Sequence, residues 1–272
     1  MKKIKKLEGE GNHYSVPKLY AINSIKKQTE DEYLLRFDVP LEHEPAQFIQ
    51  VSLLGHGEAP ISICSFQDEY FEMSIRAVGN LTRKLCALKK GDKVGLRGPY
   101  GKGYPMESLK GNNVLVIGGG CGVAPMRSAI QYLERHRSDF GDVALYFGYR
   151  NPKEVLFAED FNKWKKTFRV HVTVDKAPKS WKGEVGLITE LLQKDSFDNT
   201  NKVAFVCGPP VMIKFVIALL KERGFNDDQI FLSHERMMKC ATGMCGHCMI
   251  EGVYTCKDGP VFRYDGVKDL HG

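Results

Sequence analysis

From Tyr33 to Gly98 apolar and polar residues alternate in short runs. "YLLRFDV" (33–39), "QFIQVSLL" (47–54), "YFEMSIRAV" (70–78) and "DKVGLRG" (92–98) carry them. A period of two is the pattern of strands with one buried face, and Gly and Pro punctuate these runs where turns are needed. A small antiparallel barrel over residues 18 to about 108 fits, with "LTRKLCAL" as one short helix. At Asn112 the pattern changes. "NNVLVIGGG" is a continuous apolar strand, and the amphipathic "APMRSAIQYLERHR" follows with Pro125 near its start, where a missing N–H costs little. Strand "VALYFGYR", helix "EVLFAEDFNKWKK", strand "FRVHVTVD", helix "LITELLQK", strand "VAFVCGPP", helix "VMIKFVIALLKERG" and strand "QIFLS" continue the series. Alternation of this kind predicts a parallel sheet covered on both faces. The chain thus divides into a barrel (1–110), an α/β domain (111–232) and a cysteine-bearing segment (233–272).

Composition narrows the class. Of 272 residues, 43% are hydrophobic and 26% charged, enough to bury a core without disulfides. No apolar run approaches the roughly 18–20 residues of a membrane helix, so no membrane insertion is expected. "MKKIKK" is followed by "LEGEGNHYS" rather than an apolar stretch, which predicts no export signal and a cytoplasmic protein. The net charge of +6 is spread in mixed runs such as "NPKEVLFAEDFNKWKK" rather than one basic stripe, so no nucleic-acid partner is expected.

In a reducing compartment a tight group of cysteines points to metal or redox chemistry. Cys240, Cys245, Cys248 and Cys256 are spaced C-x4-C-x2-C-x7-C. That is the plant-type 2Fe–2S spacing; zinc sites more often come as two C-x2-C pairs, and zinc remains the alternative. Gly243 and Gly246 let the loop curl and aim N–H groups at the sulfurs, and His247 reads as a neighbour rather than a ligand. The turn "GGGCGVAP" (Gly118, Gly119, Gly120, Cys121, Gly122 to Pro125) lies between strand and helix, where backbone N–H groups can cradle a pyrophosphate. It lacks the last Gly of G-x-G-x-x-G, and by itself is equally a plain tight turn. "CGPP" (Cys207, Gly208, Pro209, Pro210) ends a later strand, on the side where open α/β sheets bind ligands. Cys207 therefore either faces that ligand or is a small buried residue, as Cys64, Cys86 and Cys121 are taken to be.

These pieces, with "GEAPISICS", "IRAVGNLT", "LRGPYGKGYP", "GGGCGVAPMRS", "CGPPVMI" and "ERMMKCATGMCGHC…YTCKDGPVF", resemble the ferredoxin–NADP reductase superfamily over nearly the whole chain. Within it the chain resembles the electron-transfer subunit of dihydroorotate dehydrogenase. It resembles still more the B subunit of anaerobic sulfite reductase and the gamma subunit of soluble sulfhydrogenases. The resemblance implies FAD on the barrel, NAD(P)H on the α/β domain and a [2Fe–2S] cluster on the cysteines. It places Ala59, Pro60, Ile61 and Ser62 at the isoalloxazine ring, with Ser62 near flavin N5. Arg76, Ala77 and Val78 fall at the ring and ribityl chain, and Leu81 and Thr82 at the FAD pyrophosphate. Where many members have Arg before the Pro, this chain has Ala59, leaving Arg76 or Arg83 to supply a cation. Cys121 stands where Thr is common, and Cys207 is taken to shape the nicotinamide pocket.

The implied activity divides the electron pair of NAD(P)H into single electrons for a partner, with no side chain needed as acid or base. That partner would be a catalytic redox subunit, of sulfite reductase or nickel–iron hydrogenase type, with a further iron–sulfur subunit. The alternatives are a zinc-stapled flavin reductase and a non-enzymatic scaffold subunit. Arg150 and Lys153 after the second strand of the sheet would suit a 2′-phosphate; Glu154 and Asp175 argue for the free ribose.

Overall fold

The computed structural model describes residues 3–5, 7 and 16–268. Its first part holds two antiparallel sheets. One has the order β1 (Lys18–Ala21), β7 (Lys93–Tyr100), β4 (Phe48–Leu53), β5 (Gly57–Ser62); the other β2 (Ser24–Lys27), β3 (Glu32–Phe37), β6 (Phe71–Arg76). A bridge from Ile63 to Met73 joins them around a core of Leu35, Phe37, Ile49, Val51, Phe71 and Leu96. The helix α1 (Asn80–Cys86) packs on β5 and β6 and buries Leu81 and Leu85 in that core.

The second part is a seven-stranded sheet in the order β11 (Glu184–Val185), β10 (Arg169–Val174), β9 (Val143–Tyr149), β8 (Asn113–Gly119), β12 (Lys202–Cys207), β13 (Ile230–Ser233), β16 (Val261–Arg263). All neighbours are parallel except β13 and β16. Alternate residues of β8 face opposite cores, as the apolar run requires. Val114 and Val116 pack with α2 (Val123–Arg135) and α3 (Ala158–Trp164); Leu115 and Ile117 pack with α4 (Ile188–Lys194) and α5 (Pro210–Glu222).

The third helix is shorter than its pattern suggests. Phe157 takes a left-handed backbone (φ 55°), so "EVLF" forms a turn and the helix starts at Ala158. Between Ser233 and Val261 the chain leaves the sheet, forms the hairpin β14 (Met249–Ile250) and β15 (Val253–Tyr254) and the one-turn helix α6 (Thr255–Asp258), then returns as the sheet's edge strand.

Buried polar contacts fasten α2 to the barrel. Arg127 donates from Nη1 to Cys64 O (3.0 Å) and Glu72 Oε2 (2.6 Å), and from Nε to Asp160 Oδ2 (2.6 Å). Gln131 Oε1 accepts Phe66 N–H (2.7 Å), and Ser128 Oγ accepts Ala46 N–H (2.9 Å). Removing one partner from a buried charge network typically costs about 3–5 kcal/mol, because the other charge is left unpaired. The helix that opens at the glycine turn is therefore held in a fixed position against the barrel.

Candidate functional site

The ends of β8, β9, β10 and β12 open into a cleft of about 360 Å³. Its floor is Gly119, Gly120 and Cys121; Arg150, Glu154 and Asp175 stand along one side, and Pro209, Val211, Met212 and Phe215 along another. Thr29, Asp31, Glu32 and Arg76 close it from the barrel. Gly120 has φ +53°, and a Cβ there would meet nothing within 4 Å, so its bare backbone faces open space. A Cβ on Gly119 would lie 2.3 Å from Met212 Sδ, and one on Gly122 2.7 Å from the Cys207 backbone. The outer glycines thus let β8, β12 and the start of α2 close up, and the middle one leaves room for a ligand. Gly118 is inside, against Val123 and Met126, and Pro125 is buried in the first turn of α2.

Cys121 lies on the cleft side of the turn and is exposed, which corrects the expectation of a buried small residue. Cys207 is 1% exposed and sits behind the turn rather than in the cleft wall. Burial, and then the charge of Glu235, push its thiol well above the ordinary range, so it stays neutral. Gly208 (φ +157°) carries the chain from Cys207 to Pro209, which lines the cleft, and Pro210 opens α5.

On the barrel, β5, β6 and α1 bring the expected flavin residues together. Ala59, Pro60, Ile61 and Ser62 are half-buried along β5, and Val78 is 59% exposed beside them. Arg76 donates to Asp31 Oδ2 (2.8 Å), so its charge is partly committed within the protein. The backbone of Ala77 is fixed on Asp31 O (2.8 Å), and Thr82 Oγ1 accepts Gly79 N–H (2.9 Å) at the head of α1. A half-buried apolar strand beside the head of a helix and a guanidinium is a surface that suits a flat aromatic ring with a phosphate tail.

In the cysteine loop, Cys248 and Cys256 are buried, Cys240 is half-buried and Cys245 exposed. Backbone N–H groups of Thr242 and Cys245 point at Cys240 Sγ (both 3.4 Å), and that of Gly243 at Cys256 Sγ (3.3 Å). Burial acts to raise the Cys240 thiol, but these N–H groups outweigh it and bring it down to about 6. Burial and the adjacent Cys248 thiol push Cys256 up to about 12. Among the described residues no three His, Cys, Asp or Glu side chains are grouped as one metal ion would need. Left-handed backbone at Ala241, Gly243 and Gly246 makes the curl, and His247 is exposed. N–H groups aimed at thiolate sulfur are the donors an iron–sulfur site requires.

Several cleft residues were not legible in the sequence. Thr29, Asp31 and Glu32 come from the β2–β3 turn, which carries no motif. Val211 and Phe215 had a readable signal: an i, i+4 apolar pair off the face of α5 that buries Val216, Leu219 and Leu220.

Residues 116–217 match the oxidoreductase NAD-binding domain, and residues 235–268 match the iron–sulfur cluster binding domain of dihydroorotate dehydrogenase B. The sulfhydrogenase 2 subunit gamma of Pyrococcus furiosus is 34% identical over 91% of this chain and 89% of its own length. Sulfhydrogenase 1 subunit gamma of the same organism is 36% identical, over 93% and 94%. A probable dihydroorotate dehydrogenase B electron transfer subunit of Archaeoglobus fulgidus is 33% identical, over 89% and 95%. Among solved structures, one from work on an NADH-dependent reduced ferredoxin–NADP oxidoreductase superposes with a TM-score of 0.74 at 25% identity, over 93% of this chain and 92% of that one. A ferredoxin–NADP reductase of Neisseria gonorrhoeae shares the fold, with a TM-score of 0.69 at 19% identity, over 79% and 97%. No helix among the described residues is long and apolar enough to cross a membrane. With its NAD-binding and iron–sulfur-binding domains, the chain belongs to the ferredoxin–NADP reductase superfamily, in the group of sulfhydrogenase gamma and dihydroorotate dehydrogenase B electron-transfer subunits, and is an NAD(P)H-dependent oxidoreductase.

Proposed function

We propose that the chain takes electrons from NAD(P)H in the cleft, through FAD on the barrel, and hands them singly by way of a [2Fe–2S] cluster to a catalytic redox subunit. The cysteine spacing C-x4-C-x2-C-x7-C carries the cluster assignment, supported by the backbone N–H groups of Thr242, Gly243 and Cys245 aimed at the Cys240 and Cys256 sulfurs and by the iron–sulfur domain match over residues 235–268. In this reading residues 1–110 hold FAD, 111–232 the nucleotide and 233–272 the cluster.

When bound, FAD and the cluster supply hydride acceptance and one-electron transfer. The protein positions and tunes. Gly120 would give a pyrophosphate bare backbone, Ser62 would stand at the flavin on β5, and Cys207 would shape the nicotinamide pocket from behind as a neutral thiol. At the ribose end two carboxylates, Glu154 and Asp175, face one guanidinium, Arg150. That balance favours the free 2′-hydroxyl of NADH over the phosphate of NADPH.

The acceptor side is a catalytic subunit of hydrogenase or sulfite reductase type with a further iron–sulfur subunit, in the cytoplasm, where the thiols stay reduced. The sulfhydrogenase gamma relatives support the hydrogenase type. Anaerobic NADH should bleach the flavin of the isolated chain, develop an EPR signal and reduce viologen or ferricyanide, without hydrogen evolution or sulfite consumption. Stoichiometric zinc with no absorbance beyond the flavin in the red overturns the cluster assignment. Flavin unreactive to both nucleotides overturns the oxidoreductase role.

A further inference from the structure

Arg97 stands on β7 with its side chain 9% exposed, and its donors are engaged at the cysteine loop, at Glu58 and at Tyr100. Its Nη1 donates to Cys240 O (2.8 Å) and to Tyr100 Oη (3.3 Å), and Nη2 to Lys239 O (3.0 Å). Nε bonds Glu58 Oε1 (2.7 Å), and Nη2 also bonds Glu58 Oε2. Gln50, wholly buried, donates to the same Lys239 O (3.3 Å). Strand register sets these residues in one row: Gln50 of β4 is paired with Pro60 of β5 on one side and with Arg97 of β7 on the other. Adjacent strands lie about 4.8 Å apart, so the flavin-side Pro60 is two strand spacings, roughly 10 Å, from the backbone of Arg97.

We propose that Arg97 is the positioning residue of the cysteine loop and sets the balance of electrons between flavin strand and cluster. The inference rests on the [2Fe–2S] reading. The planar fork grips the carbonyls of two successive residues, Lys239 and the ligand Cys240, as a flexible ammonium could not. The Arg97–Glu58 pair also presents its positive end to Cys240, while its negative end, Glu58, directly precedes Ala59 on β5. A cluster gains one negative charge on reduction, so a fixed cation beside one ligand raises its reduction potential. Glu58 partly cancels that field.

The test is a redox titration of the full chain followed by EPR and by flavin absorbance. Arg97→Gln should shift the flavin–cluster equilibrium against the cluster by about tenfold, roughly 59 mV for one electron. Glu58→Gln should move the cluster potential upward, and Arg97→Lys, which keeps the charge, should stay nearer the wild type than Arg97→Gln. Opposite signs cannot come from a merely loosened loop. If Arg97→Gln fails to load iron, Glu58→Gln decides: an unchanged or lowered potential overturns the proposal. A wild-type chain without a reducible cluster overturns the [2Fe–2S] reading and this inference together. A loaded wild type whose potential ignores both substitutions overturns the inference alone.

Discussion

Around the cleft, the groups that line it come from far apart in the chain: Asp31, Arg76, Gly120, Arg150, Asp175, Thr189 and Pro209. Around the cysteine loop, all four thiols come from residues 240–256. The cleft is made by topology, because parallel strands end together and leave their loops on one edge. The loop is made by local geometry, with left-handed residues and N–H groups curled onto sulfur. Damage should therefore stay local at the loop and be shared at the cleft.

The sharpest way to break this comparison is Cys248→Ser. It removes a buried thiol proposed as a ligand and should abolish or grossly distort the cluster signal in low-temperature EPR, with flavin content near one per chain. Dye reduction by NADH should largely persist, while electron delivery to a partner protein collapses. Loss of flavin or of nucleotide binding in the same variant would show that the two regions are not separable. Next in size is Gly120→Val, which fills the open backbone of the turn and forces a β-branched residue to φ +53°. KM for NADH should rise at least tenfold, roughly 1.4 kcal/mol, with iron content unchanged. An unaltered KM in a folded variant removes the turn from the site.

Asp175→Ser sharpens the cleft's side of the comparison. Losing one of the two ribose-end carboxylates should move the NADH-to-NADPH ratio of kcat/KM toward NADPH by several-fold, up to about tenfold, measured by stopped-flow flavin reduction. A ratio that does not move places the 2′ position elsewhere. The smallest effect belongs to Gly243→Ala. The added Cβ lies 3.0 Å from the flexible Lys257 Cδ, so the penalty is mainly the φ of +75°, about 1 kcal/mol. Thermal unfolding should start slightly earlier, with the cluster still assembled.

Legibility in the sequence followed the same division. The cysteine spacing needed only a short window, and the runs of β3, β4, β6 and β7 showed a period of two in residue type, although polar members such as Gln50, Glu72 and Arg97 are themselves buried under neighbouring segments. The strands β1 and β2 did not, since "KLYA" and "SIKK" are mostly exposed on both faces and carry no alternation. Asp31 and Glu32 reach the cleft only through the docking of barrel on sheet, which no local pattern encodes. Arg97 was hidden for the same reason: it sits in an alternating strand, and its partners Lys239 and Cys240 lie far along the chain. The edge strand β16 is three residues after a proline, too short for any periodicity.

That edge strand makes the cysteine segment a removable cassette. Ser233 and Val261 lie directly opposite each other in antiparallel register, so the whole excursion begins and ends at one rung of the sheet. Two such positions are the ends a tight hairpin turn joins. Replacing residues 234–260 by an Asn-Gly turn would keep β16 on its neighbour and expose the barrel face around Phe48 and Tyr100. Protein engineers could in this way convert a wired reductase into an unwired one, or graft a different electron carrier onto the same rung.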